Sequence, residues 1–182
     1  MTLHQTKRIN RGFTLVELIT VMGIIGMLLA VVIASISQAR QHGQDSARTA
    51  DIANLVLAAK FYALEHHTYD INGSGVGGGV SYTESGYKPV GPILVASSTW
   101  HGAVPTDPSV PSGSQSSGGH YNYLYFVYSS GAKAGGCFFA ELNNQTYDPT
   151  GFATAKAKVV SAGQSILTTN PNHMNYGACT SN

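Results

Sequence analysis

From Phe13 to Ile36 the chain reads FTLVELITVMGIIGMLLAVVIASI, 24 residues with one charge, Glu17, and no proline. As a helix rising ~1.5 Å per residue this run extends about 36 Å, enough to cross a hydrocarbon core of ~30 Å. Lys7, Arg8 and Arg11 precede it and Arg40 follows it. Three positive charges against one favour a single-pass helix with its N-terminus in the cytoplasm and the rest of the chain beyond the membrane. A secretory signal peptide is the first alternative, since Ser35-Ile36-Ser37 could imitate a cleavage site. Its apolar stretch should span only about 7–15 residues, and here helical character continues past the run.

A plain anchor leaves Glu17 unexplained. A carboxylate in an apolar helix costs roughly 2.5–3.5 kcal/mol on insertion scales, so it marks a partner or a function unless it snorkels to the interface. Around it stand Arg11-Gly12 and Phe13-Thr14-Leu15-Val16-Glu17: a short basic leader, a glycine, an aromatic residue, the carboxylate and the long apolar run. This combination resembles the cleavage and methylation signature of type IV pilins and the related pseudopilins. The resemblance implies that a prepilin peptidase/methyltransferase cuts between Gly12 and Phe13 and N-methylates Phe13. It also implies that Glu17 pairs with the N-terminal amine of a neighbouring subunit during assembly. Charges in a low-dielectric bundle persist only when paired, so that role is physically sound.

Beyond the apolar run, DIANLVLAAKFYALEHHTY keeps a helical period, with Ile52, Val56, Ala59 and Ala63 on one stripe and Leu57, Phe61 and Leu64 on a neighbouring one. No proline occurs before Pro89, so one helix of up to about 57 residues is expected, apolar all round in its first half and amphipathic in its second. Many type IV pilins carry a kinking proline where this chain has Ala34, and their Tyr-Pro turn is replaced here by Thr68-Tyr69-Asp70. Gly23 and Gly26 either loosen the helix or permit close helix contact.

Residues 71–119 contain 11 glycines, five of the seven prolines and three charges, a composition of loops. Gly77-Gly78-Gly79 lacks the lysine and the strand–helix setting of a phosphate loop, and a flexible surface loop is expected. Val104-Pro105-Thr106-Asp107-Pro108 resembles the family's turn before the sheet. His120–Tyr128 alternates, with Tyr121, Tyr123 and Tyr125 on one face and Asn122, Leu124 and Phe126 on the other. With Cys137–Leu142 it should form an antiparallel hairpin whose tyrosine face is half-buried, hydroxyls reaching water. A carbohydrate or base-stacking platform is the other reading of that row. Cys137 and Cys179 are the only cysteines. An extracytoplasmic location favours a disulfide between them, similar to the one that pins the C-terminal region of many pilins, over two unpaired thiols.

The expected fold class is α+β and pilin-like: a long N-terminal helix packed on a small antiparallel sheet. The expected organisation is a leader (1–12), a transmembrane or filament-core helix (13–36), its amphipathic continuation (37–69), a Gly/Ser/Pro-rich region (70–119), and a sheet with a cysteine-closed C-terminal region (120–182). Catalysis is not expected: no Gly-x-Ser-x-Gly elbow occurs, and adjacent His66 and His67 lie roughly 100° apart on a helix, unlike a metal pair. They read as capping or surface residues. No cofactor is expected. Some pseudopilins bind calcium in a C-terminal loop, but Glu141 and Asp148 are the only acids after Asp107, a poor hard-cation cage even beside Asn143, Asn144 and Asn175. A formal charge of +1 with no basic block argues against nucleic-acid binding, and loss of the three leader cations takes it to −2.

The resemblance thus implies a structural subunit of a type IV pilus-like surface filament, a homo-oligomer assembled from the cytoplasmic membrane by an assembly ATPase and an inner-membrane platform. A secretion-system pseudopilin is the alternative within the family. A membrane-tethered extracytoplasmic binding module is the alternative outside it.

Overall fold

The structure, a computed structural model, describes residues 12–83, 88–111, 113–114, 116–117, 120–130, 133–143, 149–161 and 174–180. Lys7, Arg8 and Arg11, and also Asn144 and Asp148, lie outside them. The chain divides into two compact units, Met1–Arg40 and Gln41–Asn182. One helix, α1 (Leu15–His66), contributes to both. It ends three residues before the expected Tyr69, because His67 adopts a left-handed backbone (φ 56°) that stops helical propagation. His66 stacks on Tyr62 one turn earlier, with ring centroids 4.2 Å apart.

In the second unit, the 41–66 part of α1 lies on a four-stranded antiparallel sheet of order β1-β4-β5-β6. Its strands are β1 (Gly77–Gly79), β4 (Leu124–Ser130), β5 (Lys133–Ala140) and β6 (Tyr176–Cys179). Between β1 and β4 come α2 (Val90–Ala96) and a two-residue ribbon, β2 (Ser116–Ser117) with β3 (His120–Tyr121). The helix α3 (Pro149–Ser161) falls between β5 and β6. The α+β arrangement of a long helix on a small antiparallel sheet is therefore present.

Strand alternation sorts the core into two layers. Tyr123, Tyr125, Val127, Phe138 and Ala140 face α1, where they meet Ile52, Leu55, Val56 and Ala59. Leu124, Phe126, Tyr128, Cys137 and Phe139 face the other way and meet Ala155 and Val159 of α3. The sheet is thus covered on both sides by helices. Burying each large apolar side chain contributes roughly 1.5–3 kcal/mol, so both layers matter to stability.

Three expectations change. Gly77-Gly78-Gly79 is a buried edge strand paired with β4, and a Cβ at Gly77 would collide with the Tyr125 carbonyl. Glycine is required there by the close approach of two backbones. The tyrosine face does not reach water: Tyr123 and Tyr125 are fully buried, their hydroxyls donating to Asp51 Oδ2 (2.9 Å) and to the Tyr69 carbonyl (2.6 Å). Tyr121's side chain lies outside the described residues. Finally, His120–Tyr128 is not one strand. Asn122 interrupts it, its buried Oδ1 accepting from the backbone N–H of Asp107 and Tyr123 while Nδ2 donates to Ser81 Oγ and the Ser114 carbonyl. A side-chain amide here replaces ladder hydrogen bonds.

Candidate functional site

In the first unit, Gly12, Phe13 and Thr14 precede the helix in non-helical backbone, and Phe13 is 90% exposed. The proposed cut between Gly12 and Phe13 therefore falls in accessible chain. Four residues on, Glu17 does something the sequence reading missed. Its Oε2 accepts from the Thr14 backbone N–H and the Thr14 hydroxyl, each at 2.9 Å, while the Glu17 N–H donates to Thr14 Oγ at 3.2 Å. This is a reciprocal capping box, which satisfies donors that the first helical turn leaves unpaired. The signal was present as Thr14-x-x-Glu17. In the single chain, the Glu17 carboxylate is thus engaged within its own first turn.

The rest of this unit presents an apolar surface. None of its most apolar stretch is buried, and α1 is long and apolar enough to cross a membrane. Leu15, Val16, Ile19, Met22, Ile25, Leu28 and Val32 are each about half or more exposed and point around the whole circumference. Such a surface requires either lipid or other apolar helices around it. Gly23 and Gly26 have open space where a Cβ would project, so close approach of a partner helix is sterically free there.

In the second unit, Arg48 is a residue that sequence reading did not single out. It is completely buried, and its Nε and Nη2 donate to the two Asp107 carboxylate oxygens at 2.7 and 3.0 Å. Nη2 also reaches Ser109 Oγ (2.9 Å), and Nη1 reaches Asp45 Oδ1 (2.8 Å). Asp45 Oδ1 accepts in addition from the Asn143 backbone N–H at 2.9 Å. Burial disfavours the Arg48 charge, but hydrogen bonding and proximity to Asp107, then Asp45, outweigh it and raise its pKa further. Asp107, the acid of the Pro105–Pro108 turn, is thereby clamped onto α1. Asp51, one turn along the helix, has its pKa raised by burial and by the Asp107 charge, against the lowering effect of the Tyr123 hydrogen bond. Burial first, then the Asp51 charge, pushes the Tyr123 phenol far up.

Cys137 and Cys179 form a disulfide between directly opposed residues of β5 and β6. It joins the last strand to the hairpin. Among the described residues no group of three or more His, Cys, Asp or Glu side chains could hold a metal ion. Asn175 brackets the Leu142 backbone, next to Glu141, by two hydrogen bonds. A pocket of ≈ 460 Å³ beside the end of α1 is lined by Lys60, Leu64, His67, Asp70 and Val127 among others.

Residues 7–33 match the family model of the prokaryotic N-terminal methylation motif, a stretch that includes Gly12, Phe13, Thr14 and Glu17. The chain is also 36% identical over 62 residues to the type IV wide pilus major component PilA4 of Thermus thermophilus. That alignment covers 34% of this chain and 47% of the relative, so the chain spans about half the length of the curated relative it matches. No solved structure matches. The motif and the relative both support the type IV pilin and pseudopilin superfamily.

Proposed function

We propose that this chain is a structural subunit of a type IV pilus-like surface filament. The observation that carries the reading is the methylation motif over residues 7–33, with Glu17 inside the otherwise uncharged and uncovered first half of α1. The relative's identity as a pilus component and the α+β head beyond residue 40 support it. In this reading the apolar half of α1 holds the subunit in the cytoplasmic membrane with its N-terminus inside. A prepilin peptidase removes residues 1–12 and methylates the new Phe13 amine. Assembly proteins then transfer the helix from lipid into a bundle of identical helices, where packing replaces lipid contact.

Glu17 acts as a register signal. Its carboxylate exchanges the Thr14 cap for, or adds to it, the amine of a neighbouring Phe13. No chemical step is catalysed by the subunit, and no cofactor is needed. A secretion pseudopilin is the second reading, favoured by the Pro105-Thr106-Asp107-Pro108 turn and by Ala34 standing where a kinking proline is common in pilins. The C-terminal disulfide and the Gly/Ser-rich 70–119 region favour the pilus.

Mass spectrometry of the N-terminal peptide from the native cells tests the processing. A chain starting at N-methylated Phe13 is expected. One retaining residues 1–12 would favour the tethered module, and one starting after Ser37 would mean ordinary secretion. Glu17→Ala should leave the chain in the membrane and abolish its filaments, seen by electron microscopy. A tethered module would keep its abundance and location unchanged.

A further inference from the structure

The segment that joins α1 to β1 reads Asp70-Ile71-Asn72-Gly73-Ser74-Gly75-Val76-Gly77. Nothing in the proposed function uses it. Asp at its first position, Asn at the third, Ser at the fifth and Gly at the sixth resemble the opening half of a calcium-binding EF-hand loop, with Ser where Asp or Asn is usual. The folded loop supplies what a sequence match lacks. Gly73 and Gly75 both take left-handed backbone, with φ of 70° and 69°, and turn the chain sharply. The Gly75 N–H donates to Asp70 Oδ2 at 2.9 Å, closing the first position onto the sixth. The Ser74 N–H donates to Asn72 Oδ1 at 3.2 Å. Gly77, the eighth position, enters the sheet opposite Phe126. The other Asp70 oxygen decides the matter. Oδ1 is buried and has no hydrogen-bond partner among the described residues. A buried carboxylate oxygen left unpaired is costly, and a cation offsets that cost.

We propose that this loop is a calcium site, with Asp70 Oδ1, Asn72 Oδ1 and the Val76 carbonyl as its protein ligands and water completing the shell. The Val76 carbonyl accepts from the Val127 N–H at 2.9 Å and keeps a second lone pair. Ser74 Oγ accepts from the Val76 and Gly77 N–H groups at 3.1 and 2.8 Å, so it shapes the loop and leaves ligation to the other three. Calcium accepts irregular sets of neutral oxygens, whereas magnesium demands a near-ideal octahedron. Asp70 and Gly75 also line the ≈ 460 Å³ pocket beside α1, which gives the ion a path from solvent. The site is weak by construction. Ser81 stands at the twelfth position, where an EF-hand loop carries a bidentate Glu, and its Oγ already accepts from Asn122 Nδ2 at 2.8 Å. Lys60, in the wall of the same pocket, opposes a dication. One carboxylate against that charge sets the expected Kd at about 10⁻⁴–10⁻³ M, the range of extracellular modules. None of the C-terminal acids contributes. The ion takes part in no reaction; it fastens the end of α1 to the edge strand β1.

The site is independent of the filament reading, and its test needs no assembly. The full-length chain in detergent, stripped of metal, is loaded with terbium, whose emission is excited through nearby tyrosines such as Tyr69, and then titrated with calcium. Calcium should displace terbium from one site per chain, with magnesium less effective by about tenfold or more. At calcium about ten times Kd the folded-to-unfolded ratio should rise about tenfold, read as a higher thermal midpoint. Asp70→Asn keeps an acceptor for the Gly75 N–H and removes the charge. It should weaken binding by about tenfold or more and abolish the midpoint shift. Glu65→Gln, at an exposed acid on α1, should leave both unchanged. Should Asp70→Asn fail to fold, amide exchange on the unaltered chain decides: calcium should slow exchange across residues 70–77 and leave α3 as it was. No saturable binding up to about 10 mM calcium, well above the expected Kd, overturns the proposal. Binding that survives Asp70→Asn, or protection that appears elsewhere and not in the loop, means an adventitious ion only and overturns it equally.

Discussion

The two parts of α1 share one helical hydrogen-bond ladder and differ in everything their side chains meet. Before Arg40, large apolar residues are exposed on every side, and the one carboxylate caps the helix from within. After Gln41, the same helix buries Ile52, Leu55, Val56 and Ala59 against the sheet and carries a buried arginine between two aspartates. Among the described residues, the large apolar side chains of the first part are left exposed. The second has its partner fixed, by apolar packing along its length and by an ion cluster near its start. In the proposed filament subunit this division has a use, since the head would keep one structure while the anchor changed surroundings.

The most severe way to break that division is to remove Arg48. Arg48→Met leaves the buried Asp45 and Asp107 carboxylates without their shared cation, and breaking a buried ion pair from one side costs about 3–5 kcal/mol. Chemical denaturation of the detergent-solubilised chain, followed by Trp100 fluorescence, should show that loss. Arg40→Met, at an exposed cation on the same helix, should change stability by no more than about 0.5 kcal/mol. Equal effects would mean that the cluster does not hold the helix. Next in size is the disulfide. Cys179→Ser should cost roughly 2–4 kcal/mol by freeing the unfolded chain, with the membrane association of the first part unaffected. Smaller again is the cap: Thr14→Val removes both hydroxyl contacts of the capping box and should cost about 1 kcal/mol of helix stability. Amide exchange at residues 15–18 should report it, with no change beyond residue 41.

What was legible in the sequence follows the same line. The apolar run, the second-half stripe and the hairpin alternation are local patterns, and each produced its element. The pairing of Cys137 with Cys179 was suggested by resemblance and by compartment, not by spacing. Arg48 was invisible because a single cation in a helical period reads as solvent-facing; its partner, Asp107, is 59 residues away. Gly77–Gly79 read as loop because glycine has poor strand propensity, and its strand exists only through the backbone of β4. The helix α3 was missed for a related reason. PTGFATAKAKVVS contains proline, glycine, threonine and paired valines, and its helical form is supported by Ala155 and Val159 packing on the far side of the sheet. The capping box was legible and overlooked, because Glu17 had already been assigned a partner in another subunit.

The finest probe of the fixed part is Asp51, whose carboxylate receives the Tyr123 hydroxyl while burial and Asp107 raise its pKa above the ordinary 3.8. A carboxyl raised on folding holds its proton more tightly in the native state than in the unfolded one. Between 3.8 and the raised value the native state therefore binds more protons, and stability falls as pH rises through that window. The contribution is fully present below the unfolded pKa and lost above the folded one. Asp51→Asn, which keeps an acceptor for Tyr123, should thus be more stable than wild type at neutral pH. The two denaturation midpoints should converge on acidification below about pH 4, where Asp51 is protonated in both states. Other carboxylates titrate over the same range, so the difference between the two proteins is the quantity to follow. Tyr123→Phe removes the one interaction that lowers the Asp51 pKa, and should move the window upward. A difference that is flat from pH 3 to pH 7 would mean that Asp51 is solvated as freely as an acid on the outward face of the helix, and that the fixed part begins deeper than its second turn.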